Sequence, residues 1–197
     1  DEHNLVQFAI MGSAFSRFLQ NIDRPTVGLL NVGEEDQKGF DYLRAAAETL
    51  RRDDLPVNYV GFVEGSDFSS GTVDVIVTDG FTGNIALKTA EGVAQLVRAF
   101  LRRAFAANIF TKIAYLFARP ALARVRSMIN PNAYNGAVFL GLNGISVKSH
   151  GGTNAFGYAN AIGVAADMVK NGYLPEVSQA IAKANLILNE EKRDENG

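Results

Sequence analysis

Four stretches of this chain share the same order of features: an apolar run, then a polar turn rich in glycine, then the start of an amphipathic segment. The turns lie at residues 30–39, 63–67, 78–84 and 149–154. Because strands that alternate with helices form a parallel sheet covered on both faces, this order predicts an α/β fold. Ligands of such sheets bind beyond the carboxyl ends of the strands, so the candidate functional residues lie in these turns.

The periodicity of apolar residues predicts the elements between the turns. Strands are predicted at residues 26–30, 57–63, 73–78, 137–142 and 145–149. Helices are predicted at residues 5–19, 40–52, 82–107, 109–129, 153–169 and 175–189. Pro120 is expected to interrupt the fourth helix, and Asp67, Thr82 and Thr153 are expected to cap helix starts. No repeat or linker is visible, so residues 1–197 are predicted to form one domain.

Residue usage excludes several chemistries. The 197 residues include no cysteine and two histidines, which excludes disulfides, a cysteine nucleophile and a histidine-rich metal site. No metal or other cofactor is expected. No uncharged apolar run reaches the roughly 18 residues of a membrane span. The acidic start lacks the basic region of a signal peptide, and the absence of cysteine fits a reducing cytosol.

The net charge of −2 hides a strong division of charge along the chain. Residues 92–166 contain eight cations and no acidic residue, whereas the rest contains 11 cations and all 21 acidic residues. Such a division predicts that one face meets an anionic partner. A phosphate ligand, an acidic protein and an anionic membrane surface all remain open.

The glycine-rich turns match no standard nucleotide fingerprint. Neither Gly-x-Gly-x-x-Gly, nor a Walker-type Gly-Lys-Ser/Thr, nor a Gly-x-Ser-x-Gly elbow is present. Glycine permits close approach of the backbone, and a helix start offers amide N–H groups that suit phosphate. Ordinary turn chemistry explains any one of the four turns equally well. Direct attack by a bound nucleophile is more natural here than a covalent acyl-enzyme.

Several strings together resemble the bacterial PlsX family of phosphate acyltransferases. They occupy residues 5–13, 27–35, 74–84 and 149–151, and their order and spacing agree from residue 1 to about residue 169. The resemblance implies an α/β/α sandwich with a mostly parallel sheet, like phosphotransacetylases and the isocitrate and isopropylmalate dehydrogenases. The family also carries an amino-terminal segment that is not found here. This chain is therefore expected to hold only part of an active site.

The resemblance also implies an activity and partners. Members convert acyl-[acyl-carrier-protein] and inorganic phosphate to acyl-phosphate and free carrier protein, in fatty acid and phospholipid synthesis. They are cytoplasmic homodimers that associate peripherally with the membrane. The family motifs imply that Lys38 and Asn84 are catalytic.

The remaining candidate site residues follow from the same turns. The phosphate seat is predicted to use the backbone N–H groups of Gly151, Gly152 and Thr153 together with Lys38. Asn84 is a candidate donor to the developing oxyanion, or else a polar residue of the first helical turn. The full set of substrate- or phosphate-binding candidates is Asp79, Gly80, Gly83, Lys88, His150, Gly151, Gly152, Thr153 and Asn154.

Lys38 is either the cation that holds phosphate or a solvated surface lysine, and three further candidates also carry alternatives. Asp79 either orients Lys38 or caps the next helix. Lys88, four residues after Asn84 on the same helical face, either faces the cleft or is exposed. His150 is either a general acid for the leaving thiolate or a structural hydrogen-bonding residue.

The basic stretch is predicted to be a helical arm over about residues 92–130. Residues 98–126 interleave seven cations with phenylalanine, leucine, isoleucine and valine, as interfacial helices do. An anionic membrane, the acidic acyl carrier protein and a dimer interface are all open as partners. Nucleic acid is disfavoured because the chain is acidic overall and has no binding motif.

Two other functional classes compete with an acyltransferase. A decarboxylating NAD-linked dehydrogenase would need paired aspartates for a metal and residues that recognise adenine, and no convincing set is present. A non-catalytic module that binds the membrane or the carrier protein is the other alternative.

Overall fold

The computed structural model describes residues 1–128, 130, 133 and 135–194. The helices are α1 (Glu2–Gln20), α2 (Asp41–Leu50), α3 (Gly80–Ala106), α4 (Ile109–Met128), α5 (Ala155–Lys170) and α6 (Tyr173–Asp194). The strands are β1 (Thr26–Leu30), β2 (Asn58–Val63), β3 (Val75–Val77), β4 (Ala137–Val138) and β5 (Val147–Lys148), and a short 3₁₀ helix spans Gly65–Ser69. The chain divides into two compact units.

The first unit contains a parallel three-stranded sheet. It comprises Asp1–Asp79, Phe139–Ser146 and the chain from Asp167 onward. The strand order is β2-β1-β3, and β1 pairs in parallel with both neighbours. Val27 and Leu29 of β1 are fully buried because the central strand is covered on both faces. The prediction of an α/β fold with parallel strands is confirmed.

Helices α1, α2 and α6 supply the rest of the core of the first unit. Their buried residues join those of the sheet in one apolar cluster, which includes Leu5, Ala9, Leu43, Leu50 and Ala184. Small residues let α1 lie close to the sheet, since a Cβ on Gly12 would come within 2.9 Å of Val75 Cγ1. An ion pair between Arg17 and Glu176 joins α1 to α6 at the surface.

The second unit comprises Gly80–Val138 and Val147–Ala166. It contains α3, α4, most of α5 and an antiparallel pair in which Ala137 opposes Lys148. Asn108 and Thr111 begin α4 by reciprocal bonds, in which each side chain accepts a hydrogen bond from the other backbone N–H at 3.0–3.1 Å. Along the stretch that the structure describes, no helix is both long and apolar enough to cross a membrane.

Several predicted element boundaries are wrong. Pro120 lies inside α4 without interrupting it, since an exposed proline removes one N–H donor while the neighbouring turns keep their bonds. Helix α3 begins two residues before Thr82, which is therefore not its cap. Asn154, not Thr153, caps α5, because its Oδ1 accepts from the N–H of Gly157 at 3.0 Å.

Two further corrections concern the ends of strands. At the 3₁₀ helix Glu64 is the N-cap, and Asp67 is its reciprocal partner at the third position. The predicted strands at residues 137–142 and 145–149 shorten to two residues each. Polar residues and glycines at the ends of these ranges form turns and bends. The prediction was too long because it followed the apolar residues and not these turn-forming ones.

Candidate functional site

The loop after β1 is tied together by the buried side chain of Asn31. Its Nδ2 donates to the carbonyl oxygen of Lys38 at 3.0 Å, and its Oδ1 accepts from the N–H of Val32 at 2.9 Å. The backbone N–H of Asn31 donates to the carbonyl of Val63 at 2.9 Å, which continues the pairing between β1 and β2. The position of Lys38 is therefore fixed to the end of the sheet.

Two glycines make this loop possible. Gly39 has φ +85°, and a Cβ there would lie 2.1 Å from Asn31 Oδ1. A Cβ on Gly33 would lie 2.4 Å from Lys38 Cδ and 2.8 Å from Lys38 Nζ. The Lys38 side chain thus lies across Gly33, where any larger residue would displace it.

Lys38 forms an ion pair with Glu35 in the same loop. The distance from Lys38 Nζ to Glu35 Oε2 is 2.7 Å, and both side chains are about half exposed, at 48% and 58%. The hydrogen bond to Lys38 lowers the pKa of Glu35, and the same bond raises the pKa of Lys38. Lys38 is therefore a fully charged ammonium group at neutral pH, held in one place but open to solvent.

Asp79, at the end of β3, interacts with Tyr42 of α2. Burial raises the pKa of the Tyr42 hydroxyl, and the hydrogen-bonded carboxylate of Asp79 raises it further. The Tyr42 ring stacks on Phe40, with centroids 5.5 Å apart. The orientation of Lys38 by Asp79 stays a prediction.

The first turns of α3 carry the next candidates. Gly83 is buried and Gly80 is exposed, and Asn84 is exposed as the fifth residue of the helix. Lys88 is exposed and its Nζ lies 2.9 Å from Glu91 Oε2. The bond to Lys88 lowers the pKa of Glu91. Whether Lys88 also faces the cleft stays a prediction.

The loop after β5 is organised around the buried amide of Asn135. The N–H of His150 donates to Asn135 Oδ1 at 2.8 Å, and Asn135 Nδ2 donates to Ser149 Oγ and to the Gly157 carbonyl, both at 2.8 Å. Within the loop, the N–H of Gly152 donates to His150 Nδ1 at 3.1 Å. His150 therefore has the structural bond that one of its two predicted roles requires, and this bond places the proton of the neutral ring on Nε2.

The structure distributes the predicted residues over both units. Lys38 and Asp79 belong to the first unit, and Asn84, Lys88 and the 150–154 loop belong to the second. In the part of the chain covered by the structure, no three side chains of His, Asp or Glu converge as metal ligands. Sequence reasoning missed Asn31, Glu35 and Asn135 as site residues. Of these three residues, only Glu35 could have been predicted, because its i, i+3 spacing to Lys38 suggests an ion pair.

These features define a class: an α/β protein in which polar, glycine-rich loops follow the strands of a parallel sheet, and one further such loop follows an antiparallel pair. Residues 1–175 match the family model described as fatty acid synthesis protein. The chain belongs to this family.

Curated relatives agree with the family match. The chain is 56% identical over 173 residues to a phosphate acyltransferase of Paramagnetospirillum magneticum, covering 88% of this chain and 49% of the relative. It is 51% identical over 185 residues to one from Rhodospirillum rubrum, covering 94% and 53%. For one from Agrobacterium fabrum the identity is 52% over 178 residues, covering 90% and 50%. The chain thus spans about half the length of these relatives.

Proposed function

We propose that this chain is part of a phosphate acyltransferase that transfers an acyl group from acyl-[acyl-carrier-protein] to inorganic phosphate. The observation that carries the proposal is the identity of 56% to a relative named phosphate acyltransferase, extending over 88% of this chain. The wider fold that we infer is the α/β/α sandwich of the dehydrogenase-like type. The parallel three-stranded sheet supports this inference.

In the proposed reaction a phosphate oxygen attacks the thioester carbonyl carbon. The tetrahedral intermediate collapses with cleavage of the C–S bond, which gives acyl-phosphate and a thiolate that takes up a proton. Such a reaction needs an anion seat, a donor for the oxyanion and positioning of the nucleophile. No covalent link to the protein is required.

Lys38 is proposed to hold phosphate as a point charge. The support for this role is local: the Lys38 backbone is held by Asn31, its side chain lies across Gly33, and its ammonium group is paired with Glu35. Phosphate would compete with or join Glu35 at the exposed Nζ. The proposal is that the dianion attracts the ammonium group more strongly than the single carboxylate of Glu35 does.

Asn84, Asp79 and the 150–154 loop are proposed to serve the same reaction. Asn84 presents an exposed amide near the start of α3, and we assign it to the oxyanion. Gly151 is exposed and lies close to the start of α5, so its N–H group suits a phosphate oxygen, whereas the N–H of Gly152 donates to His150 Nδ1 and helps to shape the turn. His150 Nε2, with its proton placed by the bond to Nδ1, is the proposed donor to the leaving thiolate.

The test is a substitution of Lys38 in a full-length protein that contains this chain. Lys38→Ala is expected to lower phosphate-dependent release of free carrier protein at least about a hundredfold, as loss of one transition-state contact does. Acyl-phosphate is trapped with hydroxylamine as a second readout. Lys170→Ala, at the end of α5, is the matched control and should retain full activity. Wild-type turnover by Lys38→Ala would contradict the proposed role.

A second proposal concerns partners of α3 and α4. These helices expose large apolar side chains, including Phe100, Phe110 and Phe117 at 56%, 79% and 82%. The same helices carry seven of the cations in the basic window. We propose contact with an anionic surface, either the membrane or the acidic carrier protein, beside a homodimer contact.

Flotation with vesicles separates these partners. Binding to vesicles that contain phosphatidylglycerol, lost in pure phosphatidylcholine and at high salt, supports the membrane. Binding that does not depend on lipid charge would exclude an anionic membrane surface as the partner. Titration with the carrier protein at low salt then tests the other partner. The double variant Arg102→Gln and Arg103→Gln should weaken either interaction, while Arg44→Gln in α2 is the control.

A further inference from the structure

The side chain of Asn135 forms hydrogen bonds with four groups of the neighbouring loop and helix. Its Oδ1 accepts from the N–H of His150 at 2.8 Å. Its Nδ2 donates to the Gly157 carbonyl and Ser149 Oγ at 2.8 Å, with a longer contact of 3.4 Å to Thr153 Oγ1. The residue is 7% exposed; its bond to the Gly157 carbonyl is buried and the other three are partly buried.

The chemistry of the partners fixes the orientation of this amide. A backbone N–H only donates and a carbonyl only accepts, so Oδ1 must face His150 and Nδ2 must face Gly157. Rotating the amide by half a turn would place Nδ2 against the His150 N–H and Oδ1 against the Gly157 carbonyl, so neither pair could form a hydrogen bond. A buried polar group without a partner is costly, so one orientation is strongly preferred.

The four partners lie on both sides of the turn at residues 150–153. Ser149 and the N–H of His150 precede the two glycines, whereas Thr153 and Gly157 follow them. Within the turn, the N–H of Thr153 donates to the His150 carbonyl at 3.1 Å, and the N–H of Gly152 donates to His150 Nδ1. Asn135 thus joins the end of β5 to the first turn of α5.

Gly151 and Gly152 need such support. Two adjacent glycines have more backbone freedom than any other pair, so an unsupported Gly-Gly turn loses much entropy on binding. A scaffold that holds both ends of the turn reduces that loss before the ligand arrives. Both glycines are exposed, so the scaffold restrains the turn without covering it.

We infer that Asn135 is a positioning residue for the 150–153 turn, which it holds ready for a phosphoryl oxygen and in which it fixes the backbone that carries His150. The inference rests on the proposed function, because that function assigns phosphate to this turn. Asn135 itself is buried and acts through the turn.

The experiment follows backbone amides of the ¹⁵N-labelled full chain during titration with inorganic phosphate, with chloride at matched ionic strength as the reference. In the unsubstituted chain, the Gly151 and Gly152 amides should shift in a saturable way. In Asn135→Ala the apparent Kd should rise about tenfold or more, the size expected for lost buried hydrogen bonds. Asn108→Ala removes a comparable side-chain bond at the start of α4 and should leave the Kd unchanged.

A second readout does not depend on phosphate. The His150 amide should exchange slowly with solvent in the unsubstituted chain and rapidly in Asn135→Ala, and the ring should lose its single Nε2–H tautomer. Ser149→Ala, which removes one partner of Asn135, should weaken phosphate binding about threefold. If Asn135→Ala does not fold, Ser149→Ala takes its place in the experiment.

The outcomes separate the two proposals. Unchanged phosphate affinity and unchanged exchange in Asn135→Ala would overturn the positioning role. If phosphate does not shift the Gly151 and Gly152 amides of the unsubstituted chain, the proposed phosphate seat is wrong. The exchange rate of the His150 amide and the tautomer of its ring would still show whether Asn135 positions the turn. Weaker phosphate binding together with faster exchange supports the inference.

Discussion

At the scale of single residues, two buried asparagines hold two of the candidate loops. Asn31 binds the Lys38 carbonyl and the Val32 N–H, and Asn135 binds the His150 N–H and the Gly157 carbonyl. An amide suits this position because it offers a donor and an acceptor on one short side chain. Each asparagine therefore satisfies backbone groups that a sharp turn leaves without partners.

The bond to Glu35 raises the pKa of Lys38, which gives a prediction with a definite sign. Glu35→Gln should move the pKa of Lys38 down toward its ordinary value of 10.5, because the bond that raises it is lost. NMR titration of the Lys38 side chain measures this. Glu34→Gln removes a charge one residue earlier and should leave the Lys38 pKa unchanged. An unaltered value in Glu35→Gln would contradict the prediction.

The same ion pair defines a pH window for its own contribution to stability. The contribution of Lys38, whose pKa is raised, is present below 10.5 and is lost as pH rises through the raised value. The contribution of Glu35, whose pKa is lowered, is present above 4.5 and is lost as pH falls through the lowered value. The pair is therefore complete across the neutral range. Its net effect is small because both groups are exposed.

Several of these residue-scale features were predictable and others were not. The glycine-rich turns were visible in the sequence, and the catalytic roles that the family resemblance implies for Lys38 and Asn84 stay predictions. The roles of Asn31 and Asn135 were not predictable, since an asparagine in a loop is the commonest turn residue. Besides the adjacent Val32 N–H, Asn31 binds a carbonyl 7 residues away, and Asn135 binds backbone groups 15 and 22 residues away, so no local pattern predicts these bonds.

At the scale of elements, the strands of the parallel sheet were predicted better than the helix ends. The range 26–30 for β1 was correct because five apolar or small residues are bounded by Pro25 and Asn31. The interruption at Pro120 was wrong. Proline costs a helix one hydrogen bond, and α4 has enough turns on either side to absorb that cost.

Because Pro120 lies inside a continuous helix, its replacement should stabilise α4. Pro120→Ala is expected to raise the free energy of unfolding by about 1–3 kcal/mol, since proline is about 3 kcal/mol worse than alanine in a helix interior. Denaturant unfolding followed by far-UV circular dichroism measures the change. Ala121→Gly, the neighbouring control, should lower it by about 1 kcal/mol. A loss of stability in Pro120→Ala would argue against an uninterrupted helix.

At the scale of the whole molecule, the division of charge coincides with the division into units. The unit that contains α3 and α4 carries nine cations and one acidic residue, and the other carries ten cations and 20 acidic residues. The basic window seen in the sequence is therefore a property of a compact body rather than of one helix. Proximity of so many cations strengthens attraction for an anionic partner at low salt.

Assembly of the first unit depends on α6, which lies far along the chain from the sheet that it helps to cover. Ala184 is fully buried in the core shared with α1 and β1, whereas Leu186 of the same helix is 66% exposed. Ala184→Asp should cost about 3–5 kcal/mol, because it buries a charge without a partner.

The control for that substitution lies two residues away. Leu186→Asp introduces the same charge on the exposed side of α6 and should change stability by about 0.5 kcal/mol at most. Urea unfolding compares the two variants. Equal effects would mean that α6 does not pack on the core through the face described.

The sequence by itself determined the α/β class, the parallel strands, the family and the charge division, because apolar periodicity, specific strings and charge are local properties that can be counted. Tertiary structure alone decided that Asn31 and Asn135 restrain the turns, that Asp79 meets Tyr42, and that α4 runs through Pro120. Those outcomes depend on which distant groups come within hydrogen-bonding or packing distance, and only the folded chain brings them there.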